Sequence, residues 1–399
     1  MIEALYIHIP FCVQRCLYCA FPTRACHDGA LMDSYVEALS LALRRASRAG
    51  LLAQVKTIYI GGGTPSYLGS RRLNSLVYLV SLSVCLENVG EFTVEANPDS
   101  LTSAMVRDLY ALGVDRFSLG VQSFDDAVLA AYGRAHTASQ ALAAIEAVQQ
   151  RTENLSIDLI CGGPGQGMAS WCSSVQQAIA LGIPHVSVYP LALEEGTPLA
   201  RQVQEGRVAA PNDELEADMM LAAEELLGQA GLRRYETASY AKPGHEARHN
   251  GAYWAGVEYL GLGTGASSML SPESYEACRR AGLFAAAQAP EAGCARVRVA
   301  AEFDTAAYSC SQGHPVVALE CLAAREALLE DVMLALRTSA GADAALVARA
   351  TREVPQLSAE LGRLRQAGLL QARADGGWAP TQRGWLLGNE VFGAVWGLA

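Results

Sequence analysis

Residues 5–19 read Leu5-Tyr6-Ile7-His8-Ile9-Pro10-Phe11-Cys12-Val13-Gln14-Arg15-Cys16-Leu17-Tyr18-Cys19. The short, mostly apolar run stopped by Pro10 predicts a buried strand from Leu5 to Ile9, with the cysteines on the loop that leaves its carboxyl end. Cys12, Cys16 and Cys19 stand in C-x3-C-x2-C spacing. Three thiolates on one tight loop can each take one iron of a cubane cluster and leave the fourth iron open to an external ligand. Structural zinc is the competing use of such cysteines. It takes four ligands, usually in paired C-x2-C or Cys/His arrangements, and only Cys26 or His27 is nearby as a fourth.

Working outward, five further apolar runs repeat the pattern: Thr57–Ile60, Glu91–Val94, Arg116–Leu119, Ser156–Ile160 and Val186–Tyr189. Helix-length amphipathic segments lie between them, around residues 31–48, 70–84, 101–112, 125–150, 168–181 and 212–230. Strands alternating with helices predict an α/β fold with a parallel sheet, and six such units make a partial (β/α)6 barrel over residues 1–235. The alternation stops there, and an irregular Gly/His/Tyr-rich stretch followed by an Ala-rich one reads as a connecting segment over 236–317. From 318 to 399, helical runs precede a Gly-Gly turn between two short strand-like runs, which predicts a small winged-helix-like α+β domain.

Eleven cysteines in 399 residues do not resemble a secreted disulfide scaffold. Lys plus Arg number 30 against 41 acids, a net charge of −11, and no dense basic cluster is present to follow a phosphate backbone. Nucleic acid is therefore not the expected partner. The amino terminus carries no signal-like pattern and no run approaches the roughly 20 apolar residues of a membrane span, so a soluble, cytoplasmic protein is expected.

In barrels of this kind the active site gathers at the carboxyl ends of the strands. The motifs found there are IPFC, GGGTP, EANPD, GVQSF, DLICGGPG and YPL. Gly61, Gly62 and Gly63 with Thr64 let backbone approach a ligand, since no Cβ intervenes. Glu95 and Asp158 are acceptors suited to ribose hydroxyls or an amine, Gln122 is a neutral amide, and Arg134 is a fixed cation suited to a carboxylate. Gly162, Gly163 and Gly165 form another permissive loop, beside which Cys161 is read as packing. Cys85, Cys172, Cys278, Cys294, Cys310 and Cys321 are read as structural.

At LYIHIPFCVQRCLYC, YIGGGTPSYL, VEANPDS, RFSLGVQSF, IDLICGGPGQ, YPLALEEGTPL, YETASYAKPGHEARHNGAYW and EYLGLGTGA the chain resembles the HemN/HemW branch of radical S-adenosylmethionine (SAM) proteins. The resemblance runs over nearly the whole length. It implies a 4Fe-4S cluster on Cys12, Cys16 and Cys19, with SAM held at Tyr6, Gly62 and Glu95. In the oxidase branch a second SAM contacts the positions matching Tyr18, Gly63, Thr64, Gln122, Arg134 and Asp158. An electron donor such as flavodoxin or ferredoxin is implied as a partner.

Two features separate the branches. The oxygen-independent coproporphyrinogen III oxidases have a long arm before the cluster loop and an extra cysteine two residues after the triad. Here the loop begins at residue 12 and position 21 is Phe21. Both features are similar to the HemW-type haem chaperones, as is the complete HNxxYW motif at His249, Asn250, Tyr253 and Trp254. That resemblance implies haem bound near His249 and passed to a haem-accepting apoprotein. The alternatives are the decarboxylating oxidase and a haem-modifying radical methyltransferase. Two stretches depart from the HemW pattern: CAFPT at 19–23 stands where CDFNS-like sequences are usual, and GTGASS at 263–268 replaces a GAGAH-like run and its histidine.

Overall fold

A computed structural model describes residues 1–285 and 288–399. All six expected runs are strands: β1 (Ala4–Ile9), β2 (Thr57–Gly62), β3 (Glu91–Ala96), β4 (Arg116–Gln122), β5 (Leu155–Cys161) and β6 (His185–Pro190). They pair in that order, all parallel, in a curved partial barrel. Helices Gly29–Arg48, Ser70–Ser83, Ser103–Ala111, Ala138–Gln149, Met168–Ala180 and Asp213–Gln229 connect or back the strands. Several open on a side-chain cap, such as Asp28, Thr102, Thr137 and Asn212, whose oxygen accepts an otherwise orphaned backbone N–H.

The strands have a strict two-residue period that decides what the barrel is for. Leu5, Ile7, Ile9, Ile58, Ile60, Phe92, Val94, Phe117, Leu119, Ile157, Leu159, Val186 and Val188 belong to one continuous buried core. Each such side chain contributes about 1.5–3 kcal/mol on leaving water. The alternate positions are polar: Tyr6, His8, Glu95, Ser118, Gln122, Asp158 and Tyr189 line an internal cavity. A closed eight-stranded barrel fills its interior with packed apolar layers; this one carries chemistry there instead.

The stretch 233–323 adds strands to the sheet where the sequence reading placed a connection over 236–317, and its last strand takes the first residues of the 318–399 segment into that sheet. β7 (Arg233–Arg234) and β8 (Ser239–Ala241) extend the sheet antiparallel beyond β6. β9 (Tyr259–Leu262) pairs parallel with the other edge, at β1, and β10 (Ser267–Leu270), β11 (Cys294–Ala301) and β12 (Val317–Ala323) follow antiparallel. The result is one twelve-stranded sheet. β9 and β10 are too short to show alternation. Arg296-Val297-Arg298-Val299 in β11 does alternate and was the readable signal.

The carboxyl-terminal helices Ala324–Ala335, Ala344–Glu353, Gln356–Gln366 and Gly388–Trp396 enclose a second core around Leu329, Val332, Leu361 and Phe392. The Gly376-Gly377 turn joins the expected hairpin of β13 (Leu370–Ala372) and β14 (Trp378–Pro380). Among the described residues no helix is long and apolar enough to cross a membrane.

Candidate active site

The cysteine loop is closed at its base, where Phe11–Cys12 pairs with Arg24–Ala25. It is then tied to the barrel rim. Leu17 N–H donates to the Tyr132 carbonyl at 3.0 Å, and the Gln14 amide donates to the Gly133 carbonyl at 2.9 Å. Gly63 N–H donates to Ile9 O at 2.7 Å, and Thr64 N–H to Phe11 O at 2.9 Å. A Cβ on Gly63 would stand 2.8 Å from Phe11 O and 2.9 Å from Ile9 O, so only glycine lets the GGGT turn lie against the root of the loop. Gly62 has φ +115°, and a Cβ there would overlap the His8 ring.

All three loop cysteines face one cavity of about 1290 Å³. Thr64 Oγ1 donates to Cys12 Sγ at 3.5 Å, and Arg134 Nη1 donates to Cys16 Sγ at 3.4 Å. Burial pushes the Cys12 thiol up to about 11, and the Thr64 hydroxyl opposes that. Among the described residues, no three His, Cys, Asp or Glu side chains converge on a single-ion site. A cubane makes a different demand, since each thiolate binds its own iron, and donors already aimed at two sulfurs suit such a cluster.

Arg134 reaches the site because the helix expected over 125–150 is broken. It runs as Asp126–Ala131 and Ala138–Gln149, separated at Gly133 with φ +68°, and Thr137 caps the second piece in a capping box with Gln140. From the break Arg134 Nη2 donates to Gly120 O at 2.7 Å and Asn97 Oδ1 at 2.8 Å, while its buried Nε has no partner. Gln122 sits past an irregularity in the β4–β5 ladder, in the left-handed region at φ +66°, with a buried Oε1 that lacks a donor. Such kinks re-aim side chains at functional rims.

Deeper in the barrel, Glu95 accepts from Tyr59 OH at 2.6 Å and from Gly62 N–H at 3.0 Å. Desolvation outweighs these bonds and pushes its carboxyl up to about 7. Burial likewise lifts Asp158, across from Ser187, to about 6. Tyr6 OH lies 2.9 Å from His8 Nδ1, and His8 Nε2 lies 2.9 Å from Pro22 O. A carbonyl can only accept, so Nε2 carries the proton and Tyr6 donates to Nδ1. The Tyr6 oxygen then offers only lone pairs to the cavity. Burial holds His8 below its ordinary value and therefore neutral. Tyr18 packs edge-on against Tyr132 at 5.5 Å on the same wall.

The cavity opens sideways under the sheet extension, where Tyr253, Trp254, Tyr259, Met269, Arg298 and Glu330 line it. Trp254 Nε1 is buried and unpartnered. Glu330, on helix Ala324–Ala335, pairs with Arg296 and Arg298 of β11.

His249 is not in this wall. It is fully buried beneath the barrel, its Nδ1 2.9 Å from Thr57 Oγ1 and its Nε2 2.9 Å from Tyr253 OH. Glu91 caps its helix (Arg248–Trp254) by accepting from Arg248 N–H at 2.7 Å and His249 N–H at 3.1 Å. Burial drives its imidazole down to about 3. Both ring nitrogens are hydrogen-bonded to hydroxyls, and through Tyr253, which lines the cavity, His249 braces the wall from behind. The loop 162–165 also lies apart, on a smaller cavity of about 320 Å³ with Leu191 and Leu199. Cys161 is buried in the core, as expected. Sequence reading missed His8, Tyr59 and Asn97. The first two share the inward period of Tyr6 and Gly61 on their strands, which was a usable signal; Asn97 lies just past a strand end and offered none.

A family model described as the radical SAM superfamily matches residues 6–178. The HemW haem chaperone of Synechocystis sp. is 36% identical over 350 residues, covering 86% of this chain and 79% of that protein. The HemW haem chaperone of Bacillus subtilis is 31% identical over 399 residues, covering 99% of each. Among solved structures, the coproporphyrinogen III oxidase HemN of Escherichia coli, described as a radical SAM enzyme, superimposes with a TM-score of 0.79 at 20% identity, covering 99% of this chain and 90% of that one. At that identity the likeness is one of fold.

Proposed function

This chain belongs to the HemW family of radical SAM proteins, and on that premise we propose that it is a haem chaperone that binds a 4Fe-4S cluster, SAM and haem. The observation that carries the reading is the single cavity that runs from the three cluster cysteines to the aromatic wall of Tyr253, Trp254 and Tyr259. Ligand pockets commonly enclose about 300–1000 Å³; at about 1290 Å³ this one has room for a nucleoside cofactor beside a flat macrocycle. Its two ends differ, with carboxylates, amide and guanidinium near the cysteines and, at the side opening, ring faces and Met269 beside the Arg298–Glu330 ion pair.

Cys12, Cys16 and Cys19 would hold the cluster, which would supply one-electron chemistry to SAM bound beside it. The protein's own groups bind and orient. Glu95, Asp158 and the Tyr6 oxygen present acceptors, and Gln122 and Arg134 present a polar rim. Tyr18, Gly62, Gly63 and Thr64 belong to the same end of the cavity. Haem would lie against Tyr253 and Trp254, with the Trp254 N–H free to donate to a carboxylate. The partners in this reading are a haem-accepting apoprotein and an electron donor of the flavodoxin or ferredoxin class. A reducing cytoplasmic setting suits a protein that must keep three thiolates available.

The test is a pair of measurements on anaerobically reconstituted protein. Haem titration followed by Soret absorbance is expected to saturate at one equivalent and to weaken at least tenfold in Trp254→Ala. Mass spectrometry after incubation with SAM, reductant and coproporphyrinogen III, beside an active oxidase as control, is expected to find no decarboxylated product. Multiple turnovers to protoporphyrinogen would replace the chaperone with the oxidase, and a methylated linear tetrapyrrole from haem would replace it with the methyltransferase.

A further inference from the structure

Asn97 follows β3 at the rim and touches both residues that donate to the cluster cysteines. Its Nδ2 donates to Thr64 Oγ1 at 3.0 Å, and its Oδ1 accepts from Arg134 Nη2 at 2.8 Å. The amide has one orientation here, because a guanidinium has no acceptor and must face the oxygen. The Thr64 oxygen is then engaged as an acceptor, and its one proton is left for Cys12 Sγ at 3.5 Å. The other arm of Arg134 ends on Cys16 Sγ at 3.4 Å. The chain Cys12–Thr64–Asn97–Arg134–Cys16 thus runs sulfur to sulfur.

The surroundings hold the amide in place. Asn97 N–H donates to Ser66 Oγ at 3.1 Å, and its carbonyl accepts from Ser100 and Leu101 N–H, each at 3.1 Å. Gly120 admits the side chain: a Cβ there would lie 2.8 Å from Asn97 Oδ1 and 3.2 Å from Arg134 Nη2.

We propose that Asn97 is a positioning residue for the cluster, directing the Thr64 proton to Cys12 and holding the Arg134 fork on Cys16. Hydrogen bonds to ligating sulfurs spread their charge and raise the reduction potential of a cluster. The relay therefore sets how readily the cluster accepts an electron. The inference rests on the radical SAM reading of the three cysteines.

The test is a double-mutant cycle read as midpoint potential, by paramagnetic-resonance-monitored redox titration of reconstituted protein without SAM, with iron and sulfide content measured in parallel. Thr64→Val removes one donor to Cys12 and is expected to shift the potential to more negative values. In Asn97→Asp both carboxylate oxygens accept, so the Thr64 proton turns away from Cys12. Adding Thr64→Val to Asn97→Asp is then expected to give no further shift, whatever the new charge does to the baseline. Should Asn97→Asp fail to hold iron, Gly120→Ala, which crowds the amide oxygen, serves as the second background with the same expectation. An equal shift from Thr64→Val in both backgrounds, or no shift in the parent, overturns the relay. Wild-type protein that takes up no 4Fe-4S cluster overturns the radical SAM reading as well, an outcome visible in the iron content before any titration.

Discussion

Replacing Glu95 by glutamine tests whether the barrel interior is as poorly solvated as its geometry implies. Glu95 accepts from Tyr59 OH and from Gly62 N–H. Gln can keep both contacts, since its oxygen can face the backbone N–H while its amino group donates to the tyrosine oxygen. The substitution therefore removes a titration without removing a shape. In the fold the carboxyl titrates at about 7 because burial disfavours its charge; in the unfolded chain it titrates near 4.3. Between those values the folded protein holds more protons than the unfolded one, so stability falls as pH rises through the window. Linkage gives a loss of about 2–3 kcal/mol between pH 5 and pH 8. Asp158, raised in the same sense, titrates in both proteins; its charge also helps to raise Glu95, so it cancels in the difference except for that coupling. Urea unfolding of apoprotein at pH 5, 6, 7 and 8 should show Glu95→Gln gaining on the parent by about 2–3 kcal/mol across the series. A difference that stays constant with pH would refute the reasoning, because it would mean Glu95 is ionised in the fold throughout and the cavity is solvated around it.

Gly63→Ala, whose Cβ would press on Phe11 O and Ile9 O, should cost about 1–3 kcal/mol in urea unfolding and lower the iron retained after reconstitution. His249→Leu strands the hydroxyls of Thr57 and Tyr253 and should destabilise by about 2–4 kcal/mol. His249→Gln, which can still bond one or both hydroxyls, should leave the haem ligation spectrum unchanged. Glu330→Ala removes the buried carboxylate that Arg296 and Arg298 share, while Asp331 and Glu320 still pair with them, and should cost about 1–3 kcal/mol, with hydrogen exchange rising first in helix Ala324–Ala335.

The parallel strands were legible because each is apolar enough to announce itself and is followed by a motif that a packed core does not need. Their bounds differ from the sequence reading by one to three residues, as at Ala4, Gly62 and Gln122. The helix break at Tyr132–Thr137 did leave a signal, Gly133 followed by the Thr137-x-x-Gln140 capping-box pattern, although one continuous helical segment was expected over 125–150. It exists because the cysteine loop needs the Tyr132 and Gly133 carbonyls and because Arg134 must reach the rim. The sheet extension escaped for a different reason. Strands of four residues such as Tyr259–Leu262 are specified by their neighbours in the sheet and not by their own composition.

His249 shows where residue type and motif part company. Its position in HNxxYW invites a ligand role, yet the same helix delivers Tyr253 and Trp254 to the cavity and His249 to the floor. On a helix, residues 249 and 253 are four apart and stack on one face, so one can brace the other only if it lies behind it. Thr57 and Glu91, both at the amino ends of their strands, complete that brace from below. The motif thus joins the closed end of the barrel to the wall that a macrocycle would meet, and the strain of moving Tyr253 would be felt at β2 and β3. Those strands carry Gly62 and Glu95 near their carboxyl ends, in the half of the cavity beside the cysteines, so the floor residues connect the two halves through the sheet itself.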